Sequence, residues 1–188
     1  MPIPRVTMSP GGTAKGRSAG AFILALFGSL WLWLAAVNTG RGTAPYAAAI
    51  AAIACAVIAA SFLLDRRAKT LSEAPRDPAV GRTFLWINVA QWVVGGAAVA
   101  FLVANGLADR APAAIALVVG FHFFPLGWMF RAPVQYLTGA VMVGAALVFN
   151  RHYVPVLLIS GAVLWLTAIW QLVSGFRIAQ NPATARAL

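Results

Sequence analysis

The sequence predicts an all-α integral membrane protein, folded as a bundle of six transmembrane helices. Of its 188 residues, 61% are hydrophobic and only 10% are charged, whereas about 25% of the residues of a soluble domain are charged. A soluble fold of this length has too little interior to hide so much apolar surface. A lipid bilayer removes the conflict because it solvates apolar side chains.

Six apolar runs separated by polar connections set the predicted number of helices. At about 1.5 Å of rise per residue they are long enough to cross a hydrocarbon core about 30 Å thick, the fifth run being at the short end. The connections contain Gly, Pro, Asn and Asp, which are typical of turns. The predicted spans are Ala19–Val37, Tyr46–Leu64, Phe84–Ala104, Pro112–Phe130, Val134–Phe149 and Val154–Gly175.

Basic residues indicate the orientation of the bundle. Alternating spans place eleven of the 14 Lys and Arg residues on one side of the membrane and three on the other. Because cytoplasmic loops carry the excess of Lys and Arg, both termini are predicted to be cytoplasmic. Residues 1–18 are then a flexible cytoplasmic tail, 19–176 the six-helix transmembrane domain and 177–188 a second cytoplasmic tail.

The net charge of +10 is explained by the same loops. Basic loops meet anionic lipid at the cytoplasmic surface, so the bilayer is the expected partner, with anionic lipids at Arg66, Arg67 and Lys69. No basic patch interleaved with aromatic residues provides a surface on which bases could stack, and we expect no nucleic-acid binding. Small-residue pairs, Gly96 with Ala100 and Ala140 with Gly144, favour tight helix packing within the chain or in a homo-oligomer.

The sequence lacks the residues that most classes of enzyme require. All four acidic residues, Asp65, Glu73, Asp77 and Asp109, lie in connections, so carboxylate chemistry inside the membrane is excluded. Two histidines and one cysteine at different depths cannot supply the three or four ligands of a zinc site. We therefore expect no catalytic residue, no metal and no cofactor, and a protein that is not an enzyme.

The fourth span contains the features that favour a site. His122 lies near mid-depth, and Pro125 cannot donate to the carbonyl of Phe121, so a kink is predicted at Pro125. Neutral polar residues form stripes at helical spacing on other spans, and most of them fall in the cytoplasmic half. Since polar groups in lipid need partners, these stripes are expected to converge inside the bundle. The candidate ligand-binding residues are His122, Asn88, Gln91, Gln135, Thr138, Thr167 and Gln171.

The run GFHFFPLGWMFR, Gly120–Arg131, resembles a motif of an uncharacterised family of small bacterial polytopic membrane proteins. In that motif a His-Phe pair is followed by Pro-Leu within a late transmembrane segment. The resemblance implies a multi-pass protein of the bacterial inner membrane. It implies no activity.

Three functions remain open. The first is a transporter- or channel-like protein that admits a neutral or lipid-like molecule through a polar cavity open to the cytoplasm. The second is a structural or accessory membrane protein that acts through helix packing with itself or a partner and has no small ligand. The third is an intramembrane enzyme that uses His122 as a base. Replacement of His122 should damage the first and third and spare the second.

Overall fold

The chain is helical throughout the part that the structure describes. The computed structural model describes residues 9–40, 43–71 and 78–181, and no strand lies within these ranges. A short 3₁₀ helix, Ala108–Arg110, precedes the fourth of the α-helices. The described α-helices are α1 (Pro10–Asn38), α2 (Thr43–Ala68), α3 (Pro78–Ala104), α4 (Ala111–Phe130), α5 (Pro133–Val148) and α6 (Tyr153–Gln180). The predicted all-α class is confirmed, and each predicted span overlaps one helix.

Most of these helices are long and apolar enough to cross a membrane. Among the described residues there are five of them: α1, α2, α3, the segment containing α4, and α6. Helix α5 has only 16 residues, which at about 1.5 Å per residue reach about 24 Å, less than a hydrocarbon core of about 30 Å. The chain is therefore a helical multi-pass membrane protein.

Helix α1 begins earlier than the sequence predicted. Ser9 caps it, because the Ser9 hydroxyl accepts a hydrogen bond from the Gly12 backbone N–H at 3.2 Å, and Pro10 occupies the first helical position, where no N–H is needed. Helix α1 therefore includes residues 10–18 of the predicted tail, and residues 1–8 lie outside the described ranges. At the other end α6 continues to Gln180, beyond the predicted start of the second tail at 177.

The described residues divide into two compact units, where the sequence predicted one six-helix domain. The first unit contains α3, α4, α5 and the beginning of α6, through Val163. The second contains α1, α2 and the remainder of α6, from Leu164. Uniformly apolar helices carry no sequence signal for such a division, because lipid solvates every face equally.

Two glycines bring α4 and α5 of the first unit into close contact. A Cβ added to Gly139 would lie 2.6 Å from the backbone oxygen of Gly120, and one added to Gly120 would lie 3.0 Å from that of Gly139. The predicted small-residue pairs do not make this contact: added Cβ atoms at Gly96 and Gly144 meet no neighbouring atom within 4 Å. This close contact therefore falls between helix faces that the sequence did not single out.

Helices α3 and α4 pack antiparallel. A Cβ added to Gly95 would lie 3.8 Å from Val118, and near the other end of the pair the rings of Phe84 and Phe130 lie 6.1 Å apart. No residue of α3 is buried. Helix α3 is therefore an edge helix of the first unit, with most of its surface available to lipid.

Pro125 lies inside α4, which is helical without interruption from Ala111 to Phe130. The kink predicted at Pro125 stays a prediction. The helix ends at Arg131, whose φ of 48° places it in the left-handed region. This conformation is common at helix ends and costs a non-glycine residue some backbone strain.

Candidate functional site

The seven predicted site residues are distributed over both units. His122 lies on α4, Asn88 and Gln91 lie on α3, and Gln135 and Thr138 lie on α5, all in the first unit. Thr167 and Gln171 lie on the part of α6 that belongs to the second unit. Each unit therefore has its own set of candidate residues.

His122 faces α3. Its imidazole lies beside the backbone of Ile87 on that helix and meets the ring of Phe123 edge-on, with 6.2 Å between ring centroids. The Nδ1 atom is buried and has no hydrogen-bond partner among the described residues. A buried nitrogen without a partner is costly in an apolar environment, so it marks a place where another polar group is needed.

Gln91 lies one helical turn from Ile87, the α3 residue beside the His122 imidazole. Gly95 faces Val118, and moving one helical turn in each direction from that pair leads to Gln91 and His122. Gln91 is partly buried. Gln91 and His122 both lie along the contact between α3 and α4.

The side chains of two predicted site residues donate hydrogen bonds to the backbone of their own helices. Asn88 donates from Nδ2 to the backbone oxygen of Phe84 at 2.7 Å, and Thr138 donates from Oγ1 to that of Val134 at 2.9 Å. Such back-bonding satisfies a hydroxyl or amide donor in lipid without any second helix. The expected burial of the α3 polar stripe is not observed, since α3 has no buried residue.

Gln135 is on the side of α5 that approaches α4. It precedes Gly139 by one helical turn, and Gly139 lies in close contact with Gly120 of α4. The Gln135 Oε1 atom is buried and has no partner among the described residues, and the same holds for the hydroxyl of Ser160 on α6. The His122 Nδ1 and Gln135 Oε1 atoms do not bond to each other, because both lack a partner. Among the described residues, the first unit thus contains three buried polar atoms that have no hydrogen-bond partner.

The polar stripe of α6 is buried, as the sequence predicted. Ser160 belongs to the first unit, whereas Thr167, Gln171 and Ser174 belong to the second, and all four are buried. The Gln171 amide packs against Gly20 of α1, where it occupies the space that a side chain at position 20 would need. Within the second unit, Thr167 and Gln171 are therefore packing residues as well as candidate ligands.

The sequence missed one arrangement in the second unit. Arg17 of α1, counted only as an orientation charge, hydrogen-bonds to Ser174 and lies over the ring of Trp170. The residues are separated by 157 positions in the chain. No local spacing pattern connects them, so pattern analysis of single helices had no means of finding the contact.

Two open surface depressions lie at turns. One, between α4 and α5, is lined by Gly127, Trp128, Arg131, Pro133 and Tyr136, and the other, before α6, by residues 151–155. Neither contains a predicted site residue. Among the described residues, no three His, Cys, Asp or Glu side chains gather into a set that could hold a metal ion.

Comparisons with protein-family models, with curated proteins and with solved structures found no match to this chain. The structure therefore defines the class of the protein, a helical multi-pass membrane protein. A more specific function depends on the chemistry of the candidate site.

Proposed function

We propose that the protein is a six-span protein of the bacterial inner membrane that binds a neutral or lipid-like molecule at His122 and passes it as a transporter- or channel-like protein. The observation that carries the proposal is the buried, unpartnered Nδ1 of His122. An unsatisfied polar group inside a bilayer costs several kcal/mol. A bound ligand that supplies the missing hydrogen bond would remove this cost.

The chemistry of the first unit favours an uncharged ligand. Its unpartnered atoms are an imidazole nitrogen, an amide oxygen and a hydroxyl, on His122, Gln135 and Ser160. The described acidic residue of this unit, Asp109, is exposed in the 3₁₀ helix at a turn. Neutral donors and acceptors within apolar walls suit a molecule with an apolar body and a few hydroxyl, carbonyl or amide groups.

The ligand proposal predicts a response that depends on His122. In wild-type protein in detergent, at least one probe from a panel of diacylglycerol, a long-chain isoprenol and uncharged sugars should raise the unfolding temperature. His122→Leu should abolish that response, because leucine offers no hydrogen bond. Without ligand the variant should be as stable as wild type or more so, since the unpartnered nitrogen is gone.

His152→Leu is the matched control. His152 is exposed at the turn before α6, so this variant should respond to the probe as wild type does. The proposal fails if no probe stabilises wild type, or if the response survives in His122→Leu. A large loss of stability in His122→Leu without ligand would indicate a packing role.

The proposal includes α5 as a sixth span, with both termini in the cytoplasm. Then the turn after α4 is cytoplasmic and the turn after α5 is external. In a Cys55→Ser background, a membrane-impermeant maleimide added to intact spheroplasts should label His152→Cys and not Ala132→Cys. Neither substitution changes a Lys or Arg, so the charges that set the orientation stay in place.

Disruption of the membrane should make the cysteine at position 132 reactive, which controls for its intrinsic reactivity. Labelling of both positions, or of neither, from outside would mean that α5 does not cross. Labelling of position 132 alone would mean that the orientation is inverted.

A structural or accessory role is the second candidate, and one observation favours it. No residue of α3 is buried, and Trp86, Trp92 and Phe101 are each about two-thirds exposed (69%, 67% and 66%). A second copy or a partner helix would cover part of this exposed surface of α3, which lipid covers otherwise. Native mass spectrometry from nanodiscs distinguishes these cases, because a structural role through α3 requires a complex that an α3 surface substitution, Trp92→Ala, dissociates.

A further inference from the structure

One end of the second unit concentrates positive charge. Helices α1 and α2 are joined there by a 2.7 Å hydrogen bond from the Ser18 hydroxyl to the Ser61 backbone oxygen. The described acidic residue of this unit, Asp65, already pairs with Lys69 at 3.0 Å. The basic residues of this end are Lys15, Arg17, Arg66, Arg67, Lys69 and Arg177.

Arg17 is held in place by neutral groups. Its Nη1 donates to the Ser174 hydroxyl, and its guanidinium lies 4.7 Å from the centre of the Trp170 ring. The side chain is partly buried, and no carboxylate among the described residues pairs with it. A guanidinium has five N–H donors, and a partly desolvated cation is stabilised most by an anion.

A second arginine at this end, Arg67 of α2, is exposed and also lies over an aromatic ring of α6. Its guanidinium lies 5.4 Å from the centre of the Phe176 ring. Gly175, the neighbour of Phe176 on α6, contacts both Leu64 of α2 and the base of the Arg17 side chain: a Cβ added there would lie 3.4 Å from the Arg17 Cβ. Leu64 precedes Arg67 by one helical turn. Helices α1 and α2 therefore meet α6 around Gly175, and the Arg17 and Arg67 guanidinium groups lie over different rings of α6.

We propose that Arg17 binds a phosphate group at the junction of α1, α2 and α6, supplied either by the headgroup of an anionic phospholipid or by free phosphate. Planar guanidinium groups bind phosphate oxygens with two parallel N–H donors, which a single ammonium cannot do. Ser174 and Trp170 are positioning residues, because they orient the Arg17 guanidinium. The site lies in the second unit and is independent of the ligand proposed at His122.

An orientation charge and a phosphate site make different predictions. An orientation charge needs only its net charge, and its side chain can move freely in the headgroup region. A phosphate site depends on the orientation of the guanidinium, so it is sensitive to neutral groups such as the Ser174 hydroxyl.

Binding should be measured on the full chain. Purified protein in zwitterionic detergent is titrated with dioleoylphosphatidylglycerol, with dioleoylphosphatidylcholine, or with inorganic phosphate, and bound lipid or thermal stabilisation is recorded. Phosphatidylglycerol, phosphate or both should bind wild type, and phosphatidylcholine should bind much more weakly. Response to phosphatidylglycerol alone assigns the headgroup as the source, and response to phosphate assigns the free anion.

Variants test whether the junction is the site. Arg17→Ala should weaken binding about tenfold, which is the loss of about 1.4 kcal/mol, and Arg17→Lys should weaken it too, because the fork is lost while the charge remains. Arg177→Ala, which removes an exposed arginine at the same end, should change binding less than about twofold. Ser174→Ala keeps every charge and should still weaken binding measurably.

The proposal is overturned if Arg17→Ala and Arg177→Ala have equal effects, or if no anionic probe binds wild type better than phosphatidylcholine does. Should Arg17→Ala fail to fold, Ser174→Ala and Arg17→Lys test the proposal. If both variants bind the anionic probe as strongly as wild type does, only the net charge matters and the proposal is overturned.

Discussion

Replacement of Gly139 by alanine should destabilise the protein by about 2 kcal/mol or more. The new methyl group would lie 2.6 Å from the backbone oxygen of Gly120 and 3.2 Å from the Cβ of Phe123. Neither atom belongs to the flexible end of a side chain, so the helices α4 and α5 must separate to admit it. In lipid, close backbone packing is a principal source of helix–helix stability, because no hydrophobic driving force remains between the helices. Reversible unfolding in mixed micelles measures the change.

Gly144→Ala is the matched control for this prediction. It makes the same substitution on the same helix, at a position where an added Cβ meets no neighbouring atom within 4 Å. Because alanine is the better helix former, this variant should be as stable as wild type or slightly more stable. Equal effects of the two variants would mean that α4 and α5 do not meet at Gly139.

Truncation of Leu64 to alanine should have the next largest effect, about 2 kcal/mol. Leu64 is fully buried, at 0% exposure, and packs against Gly175 in the second unit. Its removal leaves a cavity whose lining loses dispersion contacts, which matter as much in lipid as in water. The expected loss is at the lower end for a buried leucine because the separated helices stay in lipid, where little transfer free energy is lost.

Leu63→Ala controls for the change of residue type on the same helix. Leu63 is 56% exposed and exchanges protein contacts for lipid contacts, so its truncation should leave the unfolding free energy nearly unchanged. If Leu63→Ala is as damaging as Leu64→Ala, the face of α2 that packs in the second unit has been assigned wrongly.

The order and approximate bounds of the helices were predictable from the sequence. Long apolar runs between turn-forming residues are a strong signal, and the predicted span Pro112–Phe130 differs from α4 by one residue at its start. The start of α1 was missed for a local reason. Ser9 and Pro10 form a helix-capping pair, but the polar composition of residues 1–18 obscured it.

Which faces meet was not predictable. A soluble helix reveals its packed face by amphipathic periodicity, whereas a membrane helix is apolar all round. Small-residue spacing therefore pointed to Gly96 and Gly144, while the close contact in the first unit is made by Gly120 and Gly139.

The candidate site was predictable in part, where polar residues stand out from apolar surroundings. The α6 stripe is buried as expected. Asn88 lies on α3, which has no buried residue, whereas Thr138 is buried; each also donates to the backbone of its own helix, as side chains one turn from a backbone oxygen can do. The Arg17–Ser174 contact was missed because it joins distant segments.

The most direct test of the ligand site at His122 is an experimental density map of the full chain in lipid nanodiscs. The account predicts non-protein density, a bound molecule or ordered water, at hydrogen-bonding distance of about 3 Å from the Nδ1 atom, on the side of α4 that faces α3. Nδ1 in contact only with lipid acyl chains, or bonded to a side chain of a second copy, would contradict it.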